Sequence, residues 1–253
     1  MELPAERTDG AYPNAEEVKI SASSERNYTH YYDKDTYTSL WVAYPLSAKH
    51  MGSLARPESW SYNPKLSTSV QVNLCNKSYT NSDTYVRGHL IPNASRNGIK
   101  EMQLQTFYVT NSVPQMHTNF NNGIWQSLEA ALQSEAESET VYIVTGVAFA
   151  KQGESKTVKY TTAQDDTTKR VPVPNYFYKV ALKVTTNSSG VVTAASTVGF
   201  WFEHRTYSDN YANYAVTVDQ IEEWTGFDFF PNLPDSIEVT AESNSSWATF
   251  NDF

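Results

Sequence analysis

Stretches of β-favouring residues outnumber helical ones along this chain and do not alternate with them regularly, which argues for an α+β fold and against a parallel α/β sheet. Tyr28–Tyr32 and Ser39–Pro45 flank the polar turn Asp33–Asp35, the pattern of a hairpin. Further strands are predicted at Ser69–Leu74, Thr106–Thr110, Val141–Thr145, Tyr176–Val184 and Val191–Phe202. Several alternate polar and apolar residues with period two, the mark of antiparallel pairing with one wet face. Two helices interrupt them. In the first, from residue 122 to 136, Ile124, Leu128, Ala131 and Leu132 form one apolar stripe. The second, Val218–Trp224, has Thr217 or Asp219 as N-cap and Gly226 as stop signal. The expected architecture is a mixed, mainly antiparallel central sheet flanked by helices. Residues 1–26 are polar and turn-rich and read as an irregular lead-in to a single domain over residues 27–253.

The 253 residues carry 13% aromatics, enough to build a core without staples. No apolar run of about 18 residues exists to span a membrane, and the single cysteine, Cys75, excludes an internal disulfide framework or a Cys-rich zinc site. The opening Met1–Arg7 lacks the basic and apolar regions of an export signal, as expected of a cytosolic chain or a mature form. A net charge of −9 argues against indiscriminate binding of nucleic acid. The charge is unevenly spread, however. Between Lys49 and Ala131 seven bases face four acids, a net +3, against −12 for the remainder. A locally basic segment in an acidic chain is where an anionic ligand is expected, unless the difference is chance.

Five histidines are present (His30, His50, His89, His117, His204), none with the spacing of a helical zinc site. A G-x-S-x-G elbow, a phosphate loop and a dinucleotide fingerprint are missing. His89 stands apart through its neighbours. It lies in Tyr85–Pro92, which contains Arg87-Gly88-His89; Thr110–Gln115 (Thr-Asn-Ser-Val-Pro-Gln) and Asn121–Glu129 (Asn-Asn-Gly-Ile-Trp-Gln-Ser-Leu-Glu) follow in order.

This order resembles the non-specific DNA/RNA endonucleases of the ββα-metal, or His-Me finger, class. Their pattern is Asp-Arg-Gly-His-x-x-Pro, a strand ending in Ser/Thr-Asn-x-x-Pro-Gln, and Asn-x-Gly-x-Trp-x-x-Leu-Glu opening a helix. Upstream, Arg56 ahead of Asn63-Pro64 is similar to the family's phosphate-contacting arginine; downstream, Gly226–Pro234 looks like a closing segment of bacterial members. The resemblance runs over roughly residues 35 to 240. It implies a ββα-metal motif within the fold, cleavage of DNA and RNA to 5′-phosphate ends, a divalent cation (Mg²⁺, with Mn²⁺ possible), and a location outside the cytoplasm: secreted, periplasmic or surface-attached.

Cutting a phosphodiester requires a nucleophile, neutralisation of phosphate charge and help for a leaving alkoxide. A neutral imidazole with a pKa of about 6.5 is a competent base near pH 7, so His89 suits removal of a proton from water, as the resemblance also implies. Asn121 is the implied metal ligand; its amide oxygen is a hard donor that leaves the ion's charge undiminished. The alternative is a plain helix cap. Glu129, eight residues on, would on a regular helix stand about 12 Å further along, so it is expected to hold metal-bound water or else to be an exposed helix carboxylate. Arg87 and Arg56 offer guanidinium forks to phosphate, Arg56 with the alternative of an ordinary surface cation. Asn111 falls at a family position near the site with no step assigned, and Trp125 is expected to pack the helix onto the sheet.

Two departures stand out. The family's Asp before Arg-Gly-His is Val86 here, and Asp83 gives no sign of replacing it. One extra residue between Gln115 and Asn121 makes Asn119 a rival ligand, although Asn-x-Gly-x-Trp and the step to Glu129 hold only from Asn121. Against the endonuclease reading stand a catalytically degenerate binding or surface protein, suggested by Val86, and an enzyme for another phosphodiester.

Overall fold

The computed structural model describes residues 1–57 and 59–253. Its strands and helices are, in chain order, β1 (Ala15–Ala22), β2 (Glu25–Asp33), β3 (Thr38–Leu46), β4 (Tyr85–His89), α1 (Lys100–Gln105), β5 (Ser112–Met116), α2 (Gln126–Glu135), β6 (Val141–Ala148), β7 (Lys159–Ala163), β8 (Asp166–Val173), β9 (Tyr176–Thr186), β10 (Val192–Glu203), β11 (Ala215–Val216), α3 (Val218–Thr225), α4 (Asp235–Glu242) and α5 (Trp247–Asn251). Seven strands form one sheet in the order β1-β2-β3-β6-β9-β10-β11, and β4–β5 and β7–β8 are separate two-stranded ribbons. The fold is α+β. Every strand pair among the described residues is antiparallel, with parallel pairing confined to an isolated bridge between Ser61 and Tyr108.

Adjacent strands β3 and β6 pair from Trp41↔Gly146 to Leu46↔Val141. Between them the chain makes a long excursion that carries β4, α1, β5 and α2. All the residues expected to do chemistry lie on this excursion.

Its last element, α2, packs its stripe onto the sheet. Leu128 and Leu132, with Ile124 just ahead, are buried against Val42, Ile143, Phe177 and Phe200. Trp125 is wedged among Phe120, Phe177 and Phe202, with ring centroids 5.9, 5.5 and 6.0 Å away. Each such aliphatic burial is worth about 1.5–3 kcal/mol. The opposite face is closed by α3 and the segment after it, where Val218, Ile221, Phe227 and Phe229 cover Trp41, Tyr178 and Val180. The ends of α3 follow the sequence reading: the Thr217 side chain accepts from Gln220 N, and Gly226 takes the left-handed conformation (φ 72°).

Three expectations are corrected. Residues 1–14 are irregular, but the supposed lead-in ends in β1, which continues the sheet through Ala15↔Asp33 to Ala22↔Glu25. Its exposed Glu16, Glu17 and Lys19 masked the alternating Val18 and Ile20. Ser69–Leu74 contains a 3₁₀ turn at Thr68–Val70 instead of a strand. The buried Gln71 amide there accepts from Asn63 N and donates to the Asn63 and Leu66 carbonyls, replacing ladder bonds. Likewise the chain turns at Val109–Asn111 and the strand begins only at Ser112.

The sheet also has no wet face along its centre. The polar residues that made β9 alternate are buried and paired: Lys179 donates to Thr145 Oγ1 at 2.8 Å, and Lys183 to Glu135 of α2 at 2.5 Å. Lys183 also lies 3.0 Å from Glu139. Truncating the stripe of α2 should therefore behave as a core lesion. Leu128→Ala is expected to cost about 2–5 kcal/mol in urea unfolding; a loss under about 1 kcal/mol would contradict this packing.

Candidate active site

β4 and β5 align Val86 with Gln115, Arg87 with Pro114, Gly88 with Val113 and His89 with Ser112. Gly88 is dictated by what lies across the ladder. A Cβ there would sit 2.4 Å from both Cβ and Oε1 of Gln115, far inside contact distance. The space a side chain would take is filled by Gln115, whose Oε1 accepts from Asn121 Nδ2 at 2.6 Å. Asn121 is therefore held through its amide nitrogen. Among the described residues nothing donates to its Oδ1, and it caps no helix.

The chain between β5 and α2 is irregular, with non-helical backbone at Thr118, Asn119, Asn122 and Gly123. The left-handed Asn119 (φ 58°) donates its N–H to Asn122 Oδ1, and its carbonyl accepts from Tyr207 N. Asn121 rather than Asn119 lines the cleft. Because of the irregular turn, the helical spacing assumed between Asn121 and Glu129 does not apply.

The cleft has a volume of about 500 Å³ and brings together Arg56, Val86, Arg87, His89, Asn121 and Glu129. A larger hollow of about 670 Å³, bordered by Arg7, Tyr12, Tyr31 and Trp41, contains none of the motif residues. Aromatic rings back the lining residues. His89 lies 4.6 Å from the ring of Trp60 and 4.9 Å from that of Phe107. These two rings also carry the arginines: Arg87 lies 5.1 Å over Trp60 and Arg56 5.0 Å over Phe107. Arg87 is further fixed by donating to the Leu74 carbonyl at 2.7 Å. Stacking of this kind fixes a guanidinium while leaving donors free for an anion.

Burial, reinforced by Arg56 and Arg87, pushes His89 down to about 3, well below the ordinary value assumed from sequence. The imidazole is neutral at physiological pH, and its buried Nε2 has no hydrogen-bond partner. The unpartnered Nε2 suits a group that must accept a proton or bind a ligand, while burial keeps the ring unprotonated at the expense of its basicity.

Glu129 is not an exposed helix carboxylate. Its Oε1 lies 3.8 Å from Lys179 Nζ of β9, whose ammonium also sits 4.4 Å over the Trp125 ring. Burial raises the Glu129 carboxyl, opposed by Lys179 and Arg56, while burial lowers Lys179 against the pull of Glu129. Lys179 was missed in the sequence. The signal was present, since period two puts it, with Lys183, on the same side of β9 as Phe177 and Ala181, two cations in an apolar row. Gln115 was likewise quoted within a motif without a role.

Asn111 is a correction. It is fully buried and does not border the cleft; its amide donates to the Ile91 and Thr106 carbonyls and accepts from Ile91 N. With these groups satisfied, Asn111 holds the chain beyond His89 against the turn before β5.

Among the described residues no helix is long and apolar enough to cross a membrane. The family model for DNA/RNA non-specific endonucleases matches residues 10–236. The mitochondrial nuclease EXOG of Danio rerio is 29% identical over 224 residues, which cover 84% of this chain and 62% of that protein, so the chain spans under two thirds of that relative's length. A nuclease of Serratia marcescens is 27% identical over 223 residues, covering 85% of this chain and 77% of that protein. In fold, the chain is similar to a structure from the EndoG/EndoGI complex, with a TM-score of 0.70 at 20% identity, covering 87% of this chain and 88% of that one. With the motif residues gathered in one cleft and the family model spanning nearly the whole chain, the protein belongs to the DNA/RNA non-specific endonuclease family.

Proposed function

We propose that the cleft hydrolyses phosphodiester bonds of DNA and RNA without reading sequence, leaving 5′-phosphate ends, in the manner of a ββα-metal nuclease. The observation that carries this reading is the meeting, in one cleft, of a neutral buried imidazole, two stacked guanidiniums and a free amide oxygen. His89 takes the proton from the attacking water, a role open to it because it is unprotonated. Arg87 and Arg56 bind the phosphate and the charge that builds on it. Phosphate contacts of this kind position a strand without specifying its bases.

The donor set fits a hard divalent cation, Mg²⁺ or Mn²⁺. Asn121 Oδ1 faces no donor because Gln115 has claimed the amide nitrogen, and Glu129 is the carboxylate on the same cleft. One protein oxygen plus several retained waters is how Mg²⁺ prefers to bind. When bound there, the ion supplies Lewis acidity to the phosphate and the leaving O3′. Glu129 would orient the water around such an ion, and Lys179 opposes the burial that raises its carboxyl. Val86 gives the wall a hydrocarbon side chain where the family pattern has a carboxylate, so water on that side is held less firmly.

Plasmid DNA and RNA incubated with Mg²⁺ or Mn²⁺ should be cut, and His89→Ala should lose about 10²–10⁴ in kcat. Undiminished cutting by His89→Ala sinks the assignment of the base. Binding without metal-dependent cleavage would instead favour a degenerate relative, and turnover confined to small phosphodiesters a different substrate.

Gly88→Ala is expected to displace Gln115 and free Asn121. Its activity should fall by at least about tenfold, with a weaker response to added metal as the sign that the ligand has moved. Unchanged kinetics in a folded Gly88→Ala protein would show that the Gln115 brace is dispensable.

Lys179→Met removes the cation that holds the Glu129 carboxyl down, so that carboxyl rises further. The acid limb of the pH–rate profile should move to higher pH by about one pH unit, with activity lost at pH 7 and regained in alkali. An equal loss at every pH would mean that Lys179 only supports packing.

A further inference from the structure

We infer that Asp219 and Glu222 of α3 and Glu242 of α4 form a structural site for a hard divalent cation, best suited to Ca²⁺, on the side of the sheet away from the cleft. Oxygens of the three carboxylates lie within 4.8 Å of one another. Two oxygens bound to one Ca²⁺ at about 2.3–2.6 Å can be at most about 5 Å apart, so the cluster has the dimensions of a shared coordination sphere.

A second observation points the same way. Glu242 is only 5% exposed, and its Oε1 is buried without any hydrogen-bond partner. Buried carboxylates elsewhere in this protein are paired, as Glu129 is with Lys179 and Glu135 with Lys183. Among the described residues neither Lys nor Arg forms an ion pair with any of these three carboxylates. Glu238 and Asp228 add further negative charge around Glu242. Burial and these acids raise the Glu242 carboxyl, and a divalent cation seated among the three groups supplies the counter-charge that lets it ionise.

The scaffold is built to hold two helices at fixed separation. α3 packs on β10 at Gly199, where a Cβ would come 2.7 Å from Ile221 Cδ1. α4 is tied to the same strand by Thr197 Oγ1, which donates to the Ala241 carbonyl at 2.7 Å. Glu222 Oε1 accepts from Phe229 N at 2.6 Å, which leaves its other oxygen for a ligand. Carboxylates from two separate helices, completed by water, match the irregular six- to eight-oxygen shell of Ca²⁺ better than the strict octahedron of Mg²⁺. Val218 and Ile221 of α3 pack in the core opposite to that of Leu128 and Leu132 of α2, so this site is separate from the Asn121 cleft.

The test uses the full chain carrying Asn121→Ala, so that its outcome is independent of the cleft. CaCl₂ at a hundredfold excess over Kd should raise Tm by about 5–10 °C relative to EDTA. Adding Glu242→Gln or, at the exposed end of the cluster, Asp219→Asn should abolish most of that increment. The Tm of the Glu242→Gln protein in EDTA should be unchanged or higher, because an unpartnered buried carboxyl has become an amide of the same shape. No Ca²⁺ increment, or one that survives both substitutions, would overturn the site. An equal increment with Mg²⁺ would overturn the preference for Ca²⁺.

Discussion

The active-site geometry hangs on a five-residue antiparallel ladder in which one strand has no side chain at its fourth position. Because residue 88 is glycine, Gln115 lies across β4 instead of being pushed off it. In that position it takes the Asn121 amide nitrogen and leaves the amide oxygen on the cleft. The same ladder sets His89 opposite Ser112, at the end of the strand where Trp60 and Phe107 enclose the ring. The glycine between Arg87 and His89 is thus a packing requirement: its φ is unremarkable, and the close approach of Gln115 is what forbids a larger residue.

The second constraint is charge buried beneath the cleft. α2 sits on β9 over two lysines, Lys179 facing Glu129 and Lys183 facing Glu135. Replacing a buried ion pair with apolar residues is often neutral or stabilising, so stability alone is a weak reason to keep one. The Lys179–Glu129 pair has a further consequence, since at the edge of the cleft Lys179 offsets part of the burial that raises the Glu129 carboxyl. Packing of α2 and the chemistry of the cleft are therefore coupled through a single strand.

Much of this was legible in the sequence. Strong period-two segments became β6, β9 and β10, the hairpin of β2 and β3 formed around its polar turn, and Thr217 and Gly226 bound α3 as their chemistry dictates. The three motifs did converge, because their spacing reflects a strand, a strand and a helix that must pack together. Failures arose where side chains replaced backbone partners. Gln71 and Asn111 satisfy carbonyls and N–H groups that a pattern reading gives to neighbouring strands, so Ser69–Leu74 and Thr106–Thr110 turn instead of extending. Lys179 and Lys183 looked like residues of a wet face; only the position of α2 shows that they are buried and paired. β1 was hidden because an edge strand needs only one neighbour and tolerates charge on its open side.

The central claim is that His89 and Asn121 address one phosphodiester from one cleft. It is tested most directly by locating Mn²⁺, through its anomalous scattering, in crystals of the His89→Ala protein with a short DNA duplex. The account predicts an ion on Asn121 Oδ1 and its waters, touching a phosphate that lies between it and the position of the missing imidazole. A phosphate bound elsewhere, or an ion in the cleft that ignores Asn121, would contradict it.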